Sequence, residues 1–161
     1  MHTDSTSKLV RNNFQGGSLL VIEDNADHWL LIQHGLQTIL PEVRLTRVAT
    51  AQEATDYLQD CVTRQLSLPR LVLLDLYLPT REAGFAFLNA IKTFTPISTL
   101  RRLPIVILSS SDHLDDIGQA YESGASSYFT KPTFPQEWTA YFQAIFEYWG
   151  RTVTLPDSNA S

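Results

Sequence analysis

Four short stretches carry side chains that could do chemistry together. Glu23-Asp24-Asn25 sets two carboxylates side by side, Asp75 ends an apolar run, Ser109-Ser110-Ser111 follows a second run, and Thr130-Lys131-Pro132 follows a third. If these stretches meet, three carboxylates face one ammonium. Two carboxylates about 4 Å apart repel by roughly 4 kcal/mol at an effective dielectric near 20, so such a crevice is undercompensated. A hard divalent cation relieves the repulsion, and oxygen donors with no Cys or His in these stretches indicate Mg2+ or a similar ion. Mg2+ usually keeps several waters and takes one or two carboxylates plus a phosphate oxygen. An acidic loop that repels phosphate on its own could then help to hold one.

The elements that must position these residues are legible in the apolar pattern. Runs at Leu19 to Ile22, Val43 to Val48, Leu71 to Leu74, Leu103 to Leu108 and Ser126 to Phe129 read as strands, several without polar alternation, as in a parallel sheet covered on both faces. Helical spacing fills the gaps: Trp29, Ile32, Leu36, Ile39 and Leu40; Ala51, Ala54, Leu58, Cys61 and Val62; Phe87, Leu88, Ile91 and Phe94; Leu114, Ile117 and Tyr121. Thr50 with Glu53 forms a capping box. Thr133, Pro135 and Gln136 open the last helix, Gly150 closes it, and Gly124 ends the fourth. The expected fold class is α/β, five βα units over about residues 18–149, with right-handed crossovers and helices on both faces of a doubly wound parallel sheet. Ligands of such sheets bind outside the carboxyl ends of the strands, where the four stretches fall.

Composition narrows the function. The chain has 161 residues, 43% apolar and 18% charged, which suits one domain with a real core. A net charge of −5 without a basic run disfavours nucleic acid or anionic membrane as a partner. Cys61 is a lone cysteine, so no internal disulfide or zinc cluster is expected. No apolar run approaches the roughly 20 residues of a membrane span, and a cytoplasmic protein is expected. Residues 1–17 read as a flexible leader, 18–150 as the domain and 151–161 as a polar tail.

With these residues in place, the sequence resembles the receiver domain of two-component response regulators over about residues 18–149. The likeness is carried by Leu20-Val21-Ile22-Glu23-Asp24-Asn25, Leu73-Leu74-Asp75-Leu76-Tyr77-Leu78-Pro79, Ile107-Leu108-Ser109-Ser110 and Gly124 to Pro132, in order and each at an expected strand end. In detail it is similar to stand-alone receivers, including those paired with phytochrome-type histidine kinases, through Leu108-Ser109-Ser110-Ser111 and the ending Phe146-Glu147-Tyr148-Trp149. The resemblance implies a flavodoxin-like (βα)5 fold with strand order 2-1-3-4-5. It implies Asp75 as phosphoryl acceptor from a sensor histidine kinase, with at most weak self-dephosphorylation. Glu23, Asp24, Asp75 and the Tyr77 carbonyl would hold Mg2+, Lys131 would pair with Asp75 or its phosphoryl group, and Ser109 and Tyr128 would switch. Read from the residues alone, Asp24 or Asn25 could cap the first helix, Ser111 or Asp112 the fourth, and Asp27 is a solvated first-turn acid. The resemblance also implies a cis Lys131-Pro132 bond, which sequence alone favours in only about 5% of cases.

Two departures stand out: Thr80-Arg81-Glu82-Ala83-Gly84 reads as a loop one residue longer than usual, and Thr93 to Arg102 as a solvated link. No output domain is expected after the last helix, so output would pass through protein contact on the helix 4–strand 5–helix 5 face. Phe134, Trp138, Tyr141, Phe142, Ile145, Phe146, Tyr148 and Trp149 spread over about 160° of the last helix at 100° per residue. A core stripe needs little more than about 100°. Tyr121, Trp138, Tyr141, Phe146, Tyr148 and Trp149 are therefore interface candidates, for a homodimer or another partner, unless Arg151 to Pro156 folds back over them.

Three other readings compete. A haloacid-dehalogenase-type phosphatase needs a second Asp two after the first, where Tyr77 stands. A flavodoxin needs a hydroxyl- and Gly-rich first loop, where Glu23-Asp24 stands. A degenerate receiver acting only as a docking module would not need the full acid–Ser–Lys set.

Overall fold

The computed structural model describes residues 13–14, 16–152 and 154–156. The rest of the expected leader and tail, residues 1–12, 15, 153 and 157–161, lies outside the described residues. The elements run β1 (Ser18–Ile22), α1 (Ala26–Ile39), β2 (Arg44–Val48), α2 (Ala51–Thr63), β3 (Leu71–Asp75), α3 (Arg81–Asn89), β4 (Ile105–Ser109), α4 (Leu114–Glu122), β5 (Ser127–Thr130) and α5 (Trp138–Glu147). All five strands pair in parallel, in the order β2-β1-β3-β4-β5. This is the expected α/β receiver topology.

The central strands are apolar almost throughout because helices cover them on both sides, and β1 and β4 are buried at every residue. Alternate side chains divide the core. Leu20, Ile22, Val72, Leu74, Ile105 and Ile107 join α2, α3 and α4 through Leu58, Leu88 and Ala120. Leu19, Val21, Leu71, Leu73, Val106 and Leu108 join α1 and α5 through Leu36, Phe142 and Phe146. The edge strands β2 and β5 are more open. No helix among the described residues is long and apolar enough to cross a membrane.

Caps set the helix starts. Asn25 Oδ1 accepts from His28 N–H at 3.0 Å, and Thr50 Oγ1 from Glu53 N–H at 3.1 Å. Glu53 returns its carboxylate to Ala49 N–H rather than to Thr50, so the box is displaced by one residue. Gly124 closes α4 at φ +102°, a conformation that side-chain-bearing residues rarely adopt.

The structure corrects several expectations. Thr80 to Gly84 is not a long loop: Thr80 Oγ1 caps α3 by accepting from Ala83 N–H at 3.2 Å, so Arg81 begins the helix. Thr93 to Arg102 is more than a solvated link. A π-helical turn, Ala90–Phe94, extends α3, and a single helical turn, Ser98–Arg101, buries Leu100. Lys92 Nζ donates to the carbonyls of Arg101 and Leu103 and so ties the two turns to the entry of β4. Thr133 does not cap the last helix, which opens with a 3-10 turn, Pro135–Glu137. Gly150 does not end it either, because a π-helical turn, Tyr148–Thr152, runs on and Asn13 Nδ2 donates to Trp149 O. The cis bond among the described residues is Leu78–Pro79, not Lys131–Pro132; prolyl bonds differ little in energy between isomers, so sequence position does not decide between them.

The largest correction concerns the aromatic helix. Trp138, Phe146 and Trp149 are buried, not displayed. α5 lies against both the sheet and α1, and Phe14 from the N-terminal side closes over Phe146 in an edge-to-face contact at 5.4 Å. Leu155 packs on the same cluster, so part of the tail does fold back. Tyr141 is half-buried, and Tyr121 and Tyr148 remain about half exposed.

Candidate functional site

The first acid leaves β1 under tight control. Glu23 N–H donates to Val48 O at 3.0 Å, and Arg47 Nε donates to Glu23 O at 3.1 Å, so both edges of the peptide are tied to β2. The side chain turns inward and is 1% exposed. Asn25 N–H donates to Glu23 Oε2 at 3.2 Å while its own side chain caps α1. Asp24 stays exposed. One carboxylate oxygen from each of Glu23, Asp24 and Asp75 lies within 4.8 Å of the others.

Lys131 enters from β5. Its N–H donates to Ser109 O at 2.7 Å, which fixes the strand-end register. Its Nζ lies 2.5 Å from Glu23 Oε1, 2.9 Å from His28 Nδ1 and 3.4 Å from Asp75 Oδ2. Burial and the Lys131 charge push His28 below its ordinary pKa, which favours the neutral ring whose Nδ1 accepts from the ammonium. One ammonium thus pairs with two of the three clustered acids, Glu23 and Asp75. Asp75 records the shortfall: burial first, and the adjacent Glu23 carboxyl, push it well above the carboxylate range, against the pull of Lys131 and of Tyr77 N–H, which donates at 3.2 Å. A site whose acids must otherwise hold a proton fits a divalent cation.

Ser109 is fully buried at the end of β4, one residue after Leu108, the register partner of Asp75. Its Oγ accepts from Ser111 N–H at 3.1 Å. Tyr128 is not in the acidic crevice. Its hydroxyl donates to Ser111 O at 2.7 Å. Neither Ser111 nor Asp112 caps α4 in the expected way: His113 holds the cap position without a side-chain bond, and Ser111 Oγ accepts from His113 N–H.

Tyr77 and Arg81 meet an acid that sequence reasoning passed over. Tyr77 OH donates to Asp116 Oδ2 at 2.9 Å, Ser111 Oγ donates to the same oxygen at 2.6 Å, and Arg81 Nε donates to Oδ1. In the sequence Asp115-Asp116 reads as an ordinary pair of first-turn acids. His28 was also missed; its only signal was its place one turn after Asp24.

Residues 19–143 match the response regulator receiver domain, and the chain belongs to that family. Among curated relatives it is 32% identical to the response regulator Rcp1 of Synechocystis sp. over 86% of this chain and 92% of that protein. It is 34% identical to the probable methanogenesis regulatory protein FilR2 of Methanothrix harundinacea over 81% of this chain and 82% of that protein. Its backbone is similar to that of the phosphorylated cyanobacterial phytochrome response regulator RcpA (TM-score 0.75, 33% identity, 88% of this chain and 99% of that one). It is also similar to the Mn2+-bound form of Rcp1 (TM-score 0.73, 31% identity, 87% and 99%). The protein is a receiver-domain response regulator homologous to phytochrome response regulators, of the two-component signalling class.

Proposed function

We propose that this receiver accepts a phosphoryl group on Asp75 from a sensor histidine kinase, in a Mg2+-dependent reaction. The observation that carries the reading is the convergence of Glu23, Asp24 and Asp75 within 4.8 Å, with Lys131 as their one close ammonium among the described residues. A carboxylate oxygen of Asp75 attacks phosphorus, an O–P bond forms, the P–N bond to the kinase imidazole breaks, and the imidazole leaves with the electron pair. Glu23, Asp24, Asp75 and the Tyr77 carbonyl would hold Mg2+, whose charge, when bound, offsets the acids and attracts phosphoryl oxygens. Lys131 steadies the product, and Ser109 turns its hydroxyl toward it. No enzymatic turnover beyond weak self-dephosphorylation is assigned. The likeness to RcpA supports a phytochrome-type kinase as the partner. Output passes by protein contact on the face of α4, β5 and α5, where Tyr121 and Tyr148 stay exposed, with self-association as one form of it.

The test is labelling. Acetyl phosphate or phosphoramidate with Mg2+ should add one phosphoryl group, chelator should suppress it, and Asp75→Asn should abolish it. Label that persists in Asp75→Asn rejects the site. The docking-module reading predicts no label in either protein.

A further inference from the structure

The Lys131 side chain is 3% exposed, so water does little to complete the hydrogen bonds of its ammonium. An ammonium has three N–H groups in tetrahedral directions and accepts nothing. One N–H reaches Glu23 Oε1 at 2.5 Å, at the end of β1. A second reaches His28 Nδ1 at 2.9 Å, in the first turn of α1. Because Lys131 can only donate, Nδ1 accepts and the ring proton sits on Nε2. Two fixed directions define the third. The other acid within ion-pair reach among the described residues is Asp75, with Oδ2 at 3.4 Å. His28 is itself held from two sides. Its N–H donates to the Asn25 cap at 3.0 Å, and its ring lies 5.9 Å from that of the buried Trp138 on α5, tilted by 46°.

The chemistry of this acceptor matters as much as its place. A carboxylate at the His28 position would compete with Asp75 for the ammonium, since charge-assisted bonds are the stronger ones. A neutral imidazole satisfies one buried N–H without adding negative charge to the crevice. With Glu23 alone as its anchor, the ammonium at the end of a long flexible stem would be free to turn about that one bond. We infer that His28 is a positioning residue for the phosphoryl site: its Nδ1 orients the Lys131 ammonium so that the remaining N–H faces Asp75 and the phosphoryl oxygens carried there. A donor aimed in advance costs no reorganisation when that charge arrives. This role rests on the assignment of Asp75 as phosphoryl acceptor.

The test separates two affinities of the full chain, both measured by calorimetry beside a thermal unfolding curve: that for Mg2+ alone, and that for beryllofluoride, the phosphoryl mimic, at saturating Mg2+. His28→Phe keeps a ring against Trp138 and removes the acceptor. It should bind beryllofluoride about three- to tenfold more weakly, the factor carried by one net hydrogen bond. Its affinity for Mg2+ alone should not fall, because Glu23, Asp24 and Asp75 are intact. General damage to the site would weaken both together. His28→Asn places an amide oxygen where Nδ1 stands and should restore most of the beryllofluoride affinity. If His28→Phe does not fold, His28→Leu decides the matter. Unchanged beryllofluoride binding in the variant without the acceptor, a joint loss of both affinities, or an equal loss in His28→Asn overturns the positioning role alone. A wild type that takes up no beryllofluoride overturns the Asp75 assignment and the positioning role with it.

Discussion

Lys131 Nζ sits closer to Glu23, at 2.5 Å, than to Asp75, at 3.4 Å. The ammonium is therefore committed first to the acid at the end of β1 and only second to the proposed acceptor. Both Lys131 and Glu23 are nearly out of water, at 7% and 1% exposure. Removing one partner of a buried ion pair strands the other and typically costs about 3–5 kcal/mol. Lys131→Met should accordingly lose about 3 kcal/mol of stability in chelator, measured by denaturant unfolding, at the low end because Asp75 can take up a proton. Millimolar Mg2+ should restore more stability to this variant than to the wild type, since it supplies the missing counter-charge. Equal responses of the two proteins to Mg2+ would contradict the shared acidic site.

Gly84 shows how sharply the β3–α3 loop is built. A Cβ there would lie 1.7 Å from Leu76 O, closer than any relaxation of a flexible side chain could relieve. Gly84→Ala should cost about 3 kcal/mol or more, because backbone must move. Gly118, inside α4, meets nothing within 4 Å. Gly118→Ala should instead stabilise by up to about 1 kcal/mol, the helix-propensity difference. Thermal unfolding of the two variants side by side checks both signs.

What was legible in advance was whatever local pattern decides. The unbroken apolar runs of β1, β3 and β4 announced strands covered on both faces, and strand ends then located Glu23, Asp24, Asp75, Ser109 and Lys131. What stayed hidden depended on which distant segment covers which surface. The aromatic arc of α5 is too wide for a single core stripe, and no local pattern says that Phe14 closes over it. Asp116 looked like a first-turn acid because its partners Tyr77 and Arg81 lie 39 and 35 residues away. His28 was hidden for the same reason, 103 residues from Lys131.

Asp116 also gives the fold a pH signature. Burial alone would raise its pKa, but the bonds from Arg81, Ser111 and Tyr77 outweigh burial and hold it at about 2. The folded value lies below the unfolded one, near 3.9. Its contribution is therefore complete above about pH 4 and is lost as pH falls from about 4 to about 2. Asp116→Asn cannot titrate there. Its stability should be lower than that of the wild type at pH 7, and the gap should narrow steadily below pH 4. A gap of constant size across that range would show that the carboxylate is not held by these donors.

Phe14 tests the N-terminal side of the same fold. It is fully buried, although it falls within the stretch expected to be a flexible leader. The segment around it is pinned at two points: Asn13 Nδ2 donates to Trp149 O at 2.7 Å, and Arg70 Nε donates to Asn13 O at 3.0 Å. Phe14→Ala removes the ring that covers Phe146 and leaves a cavity between α5 and the start of β1. Truncating a buried Phe costs about 3–5 kcal/mol when the site cannot collapse. A loss of about 3 kcal/mol or more in denaturant unfolding is expected. Because Phe14 closes the end of α5 remote from the acidic crevice, labelling of Asp75 by acetyl phosphate at 25 °C should continue in the variant. A variant as stable as the wild type would mean that the segment rests on the surface without contributing to the core.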